Sequence, residues 1–301
     1  MTVAPEQAVD TVNKYFGRHD GFRALHAKGI LFKAGFKATP EAAEFTRAVH
    51  MQGAEIPATV RFSNGSGNPN HPDYAPDPRG FAIKMYLPDD SRTDIVAVSN
   101  SLFPTRTPDG FVALLEAQKA PWKMPLFFAR YPSALRVVPK TIPTLRPPRS
   151  YATIPYYGIH AFKWIDAHGD ERYVRYTLKP EKEEPRLGPR EARGRGRDYL
   201  REEIRQRVEQ GRVRFTFEVQ IAESGDRADD PTTAWPSSRR RVQVGTFEIT
   251  GLETEREQGS DVLVFDPTRV TDGIELSDDA VLQFRPKAYD ASVRRRMERA
   301  A

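Results

Sequence analysis

No cysteine occurs in this chain of 301 residues, which excludes disulfides, thiolate metal sites and a thiolate ligand to iron. Any transition metal here must be held through nitrogen or oxygen. Long apolar runs are absent too, and Met1-Thr2-Val3-Ala4-Pro5 is not a basic-then-apolar leader, so a soluble, cytoplasmic protein is expected. His19, His50, His71, His160 and His168 show no metal-ligand spacing such as His-x-x-x-His and read as structural. Neither a Walker loop nor a Rossmann fingerprint is present, and Gly65-Ser66-Gly67-Asn68 reads as a turn.

What is present is a folded composition, 39% hydrophobic with 10% aromatic residues. The net charge of +5 is concentrated in Arg186 to Arg214, with its Arg193-Gly194-Arg195-Gly196-Arg197, and in Arg294 to Arg299. Such runs read as solvated loop and helix faces, so neither nucleic acid nor membrane is an expected partner.

Ala8, Val9, Val12, Tyr15 and Phe16 predict an amphipathic helix over 5–18, stopped by Gly17. Ile30, Phe32, Ala34 and Phe36 alternate around Lys33 and Lys37, the period of a half-buried strand. Further strands are expected near 56–63, 80–87, 93–99, 159–166, 171–178, 212–221 and 241–249. Asn64 to Arg79 is a loop, Pro108 to Ala120 and Trp122 to Val138 are helices, and Pro139 to Pro148 is an extended connector. Early strands, inserted helices and a helical end predict an α+β chain, an eight-stranded antiparallel β-barrel with inserted and C-terminal α-helices. One domain over 1–301 is expected, with its barrel core about 26–250. Thr59, Arg61 and Ser63 fall on one face of their strand, and that polar face is expected to look into the barrel, with a ligand filling it.

Near the chain end, Arg285, Tyr289, Ser292 and Arg296 are spaced four, three and four. On a helix they share a wedge of about 60°. A cationic row around a phenol suits a large, flat, anionic ligand, and Arg285 one turn before Tyr289 favours the phenolate form.

Gly273-Ile274-Glu275-Leu276-Ser277-Asp278-Asp279, running into Leu282-Gln283-Phe284-Arg285-Pro286-Lys287-Ala288-Tyr289, resembles the proximal helix of haem catalases. Arg23-Ala24-Leu25-His26-Ala27-Lys28-Gly29 resembles the segment that supplies their distal histidine, and Arg61-Phe62-Ser63 the strand whose serine bonds that histidine. Asp77-Pro78-Arg79-Gly80-Phe81-Ala82 and Gly158 to Gly169 match further stretches. The resemblance spans roughly 17–118, 156–178 and 262–297 and looks like a small catalase-related peroxidase. It implies haem (heme b) with Tyr289 on the iron, a proximal helix of about 277–299, Arg23, Arg61, Arg285 and Arg296 around the cofactor, and His26 with Ser63 on the distal side. A distal asparagine of large catalases aligns with Val98, while Asn100 lies two residues later. Both a shifted Asn100 and a pocket without that amide stay open.

The activity implied is a haem peroxidase that reduces hydrogen peroxide or organic hydroperoxides with a small organic reductant, with weak catalase turnover. The long arms that interlock full-length catalase subunits find no match, so a monomer or small homo-oligomer is expected. A fatty-acid hydroperoxide isomerase or dehydratase on the same fold, and a non-catalytic haem-binding protein, are the rival readings.

Overall fold

The computed structural model describes residues 3–256 and 262–297. Helix α1 (Pro5–Phe16) stops at Gly17, whose φ of 90° only glycine adopts freely. Eight long strands follow the predicted alternation. They are β1 (Gly29–Ala38), β2 (Glu55–Asn64), β3 (Arg79–Tyr86), β4 (Arg92–Val98), β5 (Tyr156–Ile165), β6 (Glu171–Pro180), β7 (Val213–Ile221) and β8 (Arg241–Leu252). All pair antiparallel in the order β4-β3-β2-β1-β8-β7-β6-β5, and Val98 opposite Tyr157 closes β4 onto β5. A ninth, β9 (Ile274–Leu276), lies along Phe162–Trp164 of β5 and has only three residues, too few to show a period.

The barrel interior is apolar, contrary to the expected polar lining. Phe32, Phe36, Phe62, Phe81, Phe215, Phe217 and Phe247 are fully buried in one cluster with Tyr151, Tyr156 and Trp164. Ala58, Val60 and Phe62 belong to that cluster, so Thr59, Arg61 and Ser63 face outward. The physical reason is that closing a barrel removes the inner face from water, and apolar aromatic area gains most from that transfer. Strand alternation separates the two faces and is silent on which one is inside.

Helices α2 (Pro108–Lys119), α3 (Met124–Arg130) and α4 (Ser133–Thr141) form an insertion with its own small core of Leu114, Ala117, Phe127 and Ala134. The helix expected over Trp122 to Val138 is divided after Arg130, where Pro132 disfavours helical backbone at Tyr131. The extended connector expected from Pro139 is replaced by the end of α4 and a 3-10 turn at Ile142–Leu145. Burial of Ala134 and Val137 holds α4 together through the hydrogen bond that Pro139 removes. The arginine-rich segment forms α5 (Pro189–Gly194) and α6 (Tyr199–Gln210), and α6 turns Tyr199, Leu200, Ile204 and Val208 onto the barrel. Helix α7 (Ala280–Met297) packs on α1 and α2. Positions 298 and 299 of the expected helix lie outside the described residues.

Candidate active site on the outer wall of the barrel

Strand register sets up the side of the site that carries His26. Gly29, Ser63, Gly80 and Val98 are cross-strand neighbours in one row on the outer wall, and Leu31, Arg61, Ala82 and Val96 form the next. The glycines in the first row are required by close approach. A Cβ on Gly80 would stand 2.6 Å from Ser63 Oγ and 2.7 Å from His26 Nδ1, and one on Gly29 would stand 2.4 Å from Arg61 Cζ. Imidazole and guanidinium therefore lie directly on the sheet. Leu31 packs with Leu263 and Phe265, against Ala82 and Val96, an apolar cluster on the same wall.

His26 sits in the segment before β1 with a left-handed φ of 56°. Its N–H donates to Gly65 O at 3.0 Å, its Nδ1 meets Ser63 Oγ at 3.0 Å, and its carbonyl accepts from Arg61 Nη1 at 2.9 Å. These contacts over-determine a backbone conformation that is costly for a side chain with a Cβ. Burial, then the positive charges of Arg61, Arg285 and Arg23, push the imidazole down to about 3, so the ring is neutral across the physiological range.

The side that carries Tyr289 is a chain of four residues. Asp279 is fully buried; its Oδ1 accepts from the N–H groups of Val281 at 2.8 Å and Leu282 at 3.3 Å, capping α7. Its Oδ2 meets His160 Nδ1 at 2.6 Å. Arg285 Nε donates to His160 Nε2 at 2.9 Å, and Arg285 Nη1 donates to Tyr289 Oη at 2.8 Å. Since Nε2 accepts from a guanidinium, the proton is on Nδ1 and donates to Asp279. Burial, with the Arg285 charge next, pushes His160 down to about 4, consistent with a neutral ring. His160 holds the guanidinium at Nε, which leaves Nη1 aimed at the phenol.

The predicted stripe is thus realised on one helix, with Arg285 and Tyr289 joined. Arg296 Nε donates to Gly21 O at 2.8 Å, tying α7 to the segment that carries Arg23 and His26. Arg23 Nη2 donates to Leu263 O at 2.7 Å, and its guanidinium stands over the Phe265 ring at 5.7 Å. Arg294 is exposed, as expected, with Nη2 3.2 Å from Glu6 of α1, whereas Arg295 is only partly exposed and lies with Nη1 2.7 Å from Asp10. Asn100 accepts from Thr144 Oγ1 at 2.6 Å through Oδ1, which ties it to the inserted helices, whereas Val98 occupies the row of Ser63 and Gly80.

His160 and Asp279 are the residues that sequence reasoning did not assign to this site. They are 119 positions apart, and the usable signal was Asp279 standing just before the stripe helix, where an N-cap belongs.

Fold and site together define a closed antiparallel barrel that carries a guanidinium-clamped tyrosine and a buried histidine–serine pair on its outer wall. The chain belongs to the catalase family, whose profile, described as "Catalase", matches residues 8–300. It is 47% identical over 298 residues to a catalase-related peroxidase of Mycolicibacterium paratuberculosis (strain ATCC BAA-968 / K-10), covering 98% of this chain and 95% of that protein. A catalase-related peroxidase of Synechococcus elongatus (strain ATCC 33912 / PCC 7942 / FACHB-805) is 32% identical, covering 98% and 89%. Among solved structures, a bacterial catalase superposes with a TM-score of 0.81 at 26% identity, covering 96% of this chain and 60% of that one. A fungal catalase gives 0.82 at 23% identity, covering 97% and 62%, a likeness of fold. The chain therefore spans about three fifths of these two catalases.

Proposed function

We propose that this protein is a haem-dependent peroxidase that reduces hydrogen peroxide or organic hydroperoxides at the expense of a small organic electron donor, with weak catalase turnover. The observation that carries the reading is the phenol oxygen of Tyr289 under a guanidinium that His160 and Asp279 hold in place. A donated N–H of this kind would stabilise a phenolate oxygen bound to iron. No cluster of three or more His, Cys, Asp or Glu side chains that could hold a metal occurs among the described residues. The donor set fits haem b in two further respects. Gly29 and Gly80 let the Arg61 guanidinium and the His26 imidazole lie close against the wall, so that both can border a flat ligand, and Leu31, Leu263 and Phe265 offer apolar contact. Arg23, Arg61 and Arg296 would take the propionates.

When bound, the haem iron supplies the peroxide-binding Lewis acid and the redox equivalents. The remaining steps fall to the chain. Ser63, accepting from His26 Nδ1–H, leaves Nε2 as the base. His26 takes the proton from the near peroxide oxygen and returns it to the far one, which departs as water or alcohol. A ring with its pKa near 3 holds a proton only briefly, which suits relay over storage. Carboxylates near Arg61, Arg285 and Arg23 would offset the charges that depress His26 and move its pKa upward, toward the operating pH.

The test is absorption spectroscopy of protein expressed with haem precursor and iron, beside Tyr289→Phe. A Soret band in the parent that is lost or strongly shifted in Tyr289→Phe is expected; an identical spectrum in both removes the tyrosinate assignment. Donor oxidation stoichiometric with peroxide is expected, and conversion of a fatty-acid hydroperoxide with no donor consumed would transfer the reading to an isomerase.

A further inference from the structure

The helical insertion carries a surface that the active site leaves unused. From residue 117 to residue 165 the chain contains no Asp or Glu. Within that span Lys123, Arg130, Arg136 and Lys140 are all exposed, and none forms an ion pair among the described residues. The same short elements expose Trp122 at 78%, Leu126 at 72%, Leu135 at 54% and Ile142 at 59%. These are four of the eight large apolar side chains exposed among the described residues.

Order along the helices makes this a surface of two kinds. Trp122, in a 3-10 turn over Pro121–Lys123, stands four residues before Leu126 of α3, and Leu135 of α4 stands seven before Ile142 of the 3-10 turn that follows, so each pair falls near one line. Ala134, Val137 and Phe127 face the other way, toward the protein. Arg136 and Lys140 are also one turn apart and flank the Leu135 line. Exposed apolar lines beside unpaired cations, with a tryptophan at one end, match an interfacial helix lying on anionic lipid. A second copy of this chain meeting the patch about a two-fold axis would set cations against cations. No helix of the described residues is long and apolar enough to cross a membrane, so contact would be shallow.

We propose that α3, α4 and the 3-10 turns beside them dock the protein on the surface of an anionic lipid bilayer. No membrane partner was expected of the chain from its charge runs; the Arg186–Arg214 helix does turn its apolar residues inward, but the inserted helices leave theirs exposed. The patch ends next to the site, because Thr144 of the second 3-10 turn bonds Asn100, two residues beyond Val98.

Flotation of the full chain with vesicles tests this, using phosphatidylcholine alone and phosphatidylcholine mixed with phosphatidylglycerol. Binding to the mixed vesicles only is expected, weakened by salt. Charge reversal in Lys123→Glu with Lys140→Glu should lower partitioning by at least the roughly fivefold per basic residue that surface attraction supplies, and Trp122→Ala with Leu126→Ala should abolish it. Trp164 and Trp235 are buried, so a blue shift of emission on mixed vesicles should vanish in Trp122→Phe. Equal binding to both vesicle types, no binding to either, or variants that change the size of the assembly while leaving flotation intact would each overturn the proposal. None of these residues touches the site, so peroxide-dependent oxidation of a water-soluble donor should stay unchanged.

Discussion

The inner and outer faces of β1 to β4 are built by alternate residues of the same strands, yet they obey different rules. Inward, Phe32, Phe62 and Phe81 pack without exposure, and shape and apolar area decide what is tolerated. Outward, Gly29, Arg61, Ser63 and Gly80 combine small residues and hydrogen-bonding ones, and direction decides. One residue of register would exchange the two sets entirely. The rigid interior thereby fixes where the outward groups stand.

The widest separation between the faces should come from His26→Asn, since asparagine tolerates the left-handed φ. Removing the proton relay should lower peroxide-dependent donor oxidation by about 10²–10⁴-fold, with the unfolding midpoint at neutral pH nearly unmoved. A rate within a factor of a few of the parent would remove His26 from the chemistry. The opposite pattern is expected of Phe62→Ala. Emptying an aromatic site stacked 4.6 Å from Phe81 should cost about 3–5 kcal/mol in denaturant unfolding, while activity per folded molecule stays close to the parent. If activity per folded molecule fell as far as in His26→Asn, the two faces would not be separable.

Acid sharpens the contrast, because it reaches buried histidines on both sides of the wall. His26 is pushed down to about 3, and His50 and His160 to about 4, burial being the leading cause for each. The unfolded chain binds these protons near the ordinary value of 6.5 and the folded one does not. Stability is therefore full above pH 6.5 and falls as pH drops toward 4, by about 1.4 kcal/mol per pH unit for each histidine. Urea midpoints between pH 7 and pH 4.5 check this, and His50→Gln should flatten the slope by one proton's share without affecting the site. The smallest effect is expected from Ser63→Ala. It keeps the row and loses one hydrogen bond to His26, worth about 0.5–1.5 kcal/mol, so the rate should fall about tenfold or less, and an unchanged rate would mean that the backbone contacts alone orient the ring.

The eight long strands were legible because each is long enough for a period of two, and α7 because its stripe has a period near 3.6. The break at Pro132 between α3 and α4 was missed although the residue before a proline carries its signal, and Pro139 was not readable as a helical residue, since burial of Ala134 and Val137 is tertiary. The inward direction of Phe62 in place of Ser63 was hidden for the same reason, because alternation has no sign until the sheet closes. His26, Ser63 and Tyr289 stood in motifs with local texture. His160 also lay in a matched stretch but was read as structural, because its role depends on Arg285 and Asp279 arriving from the far end of the chain.

Asp279 begins α7 with one oxygen and, through His160, orients Arg285 with the other. Helix initiation and assembly of the tyrosine's surroundings are thus one cooperative event and not two. An Asp279→Ala chain would lose the cap and the hold on His160 together, fraying the start of α7 and loosening Arg285 in the same motion, so amide exchange at Val281 and Leu282 should quicken in step with any change at the phenol.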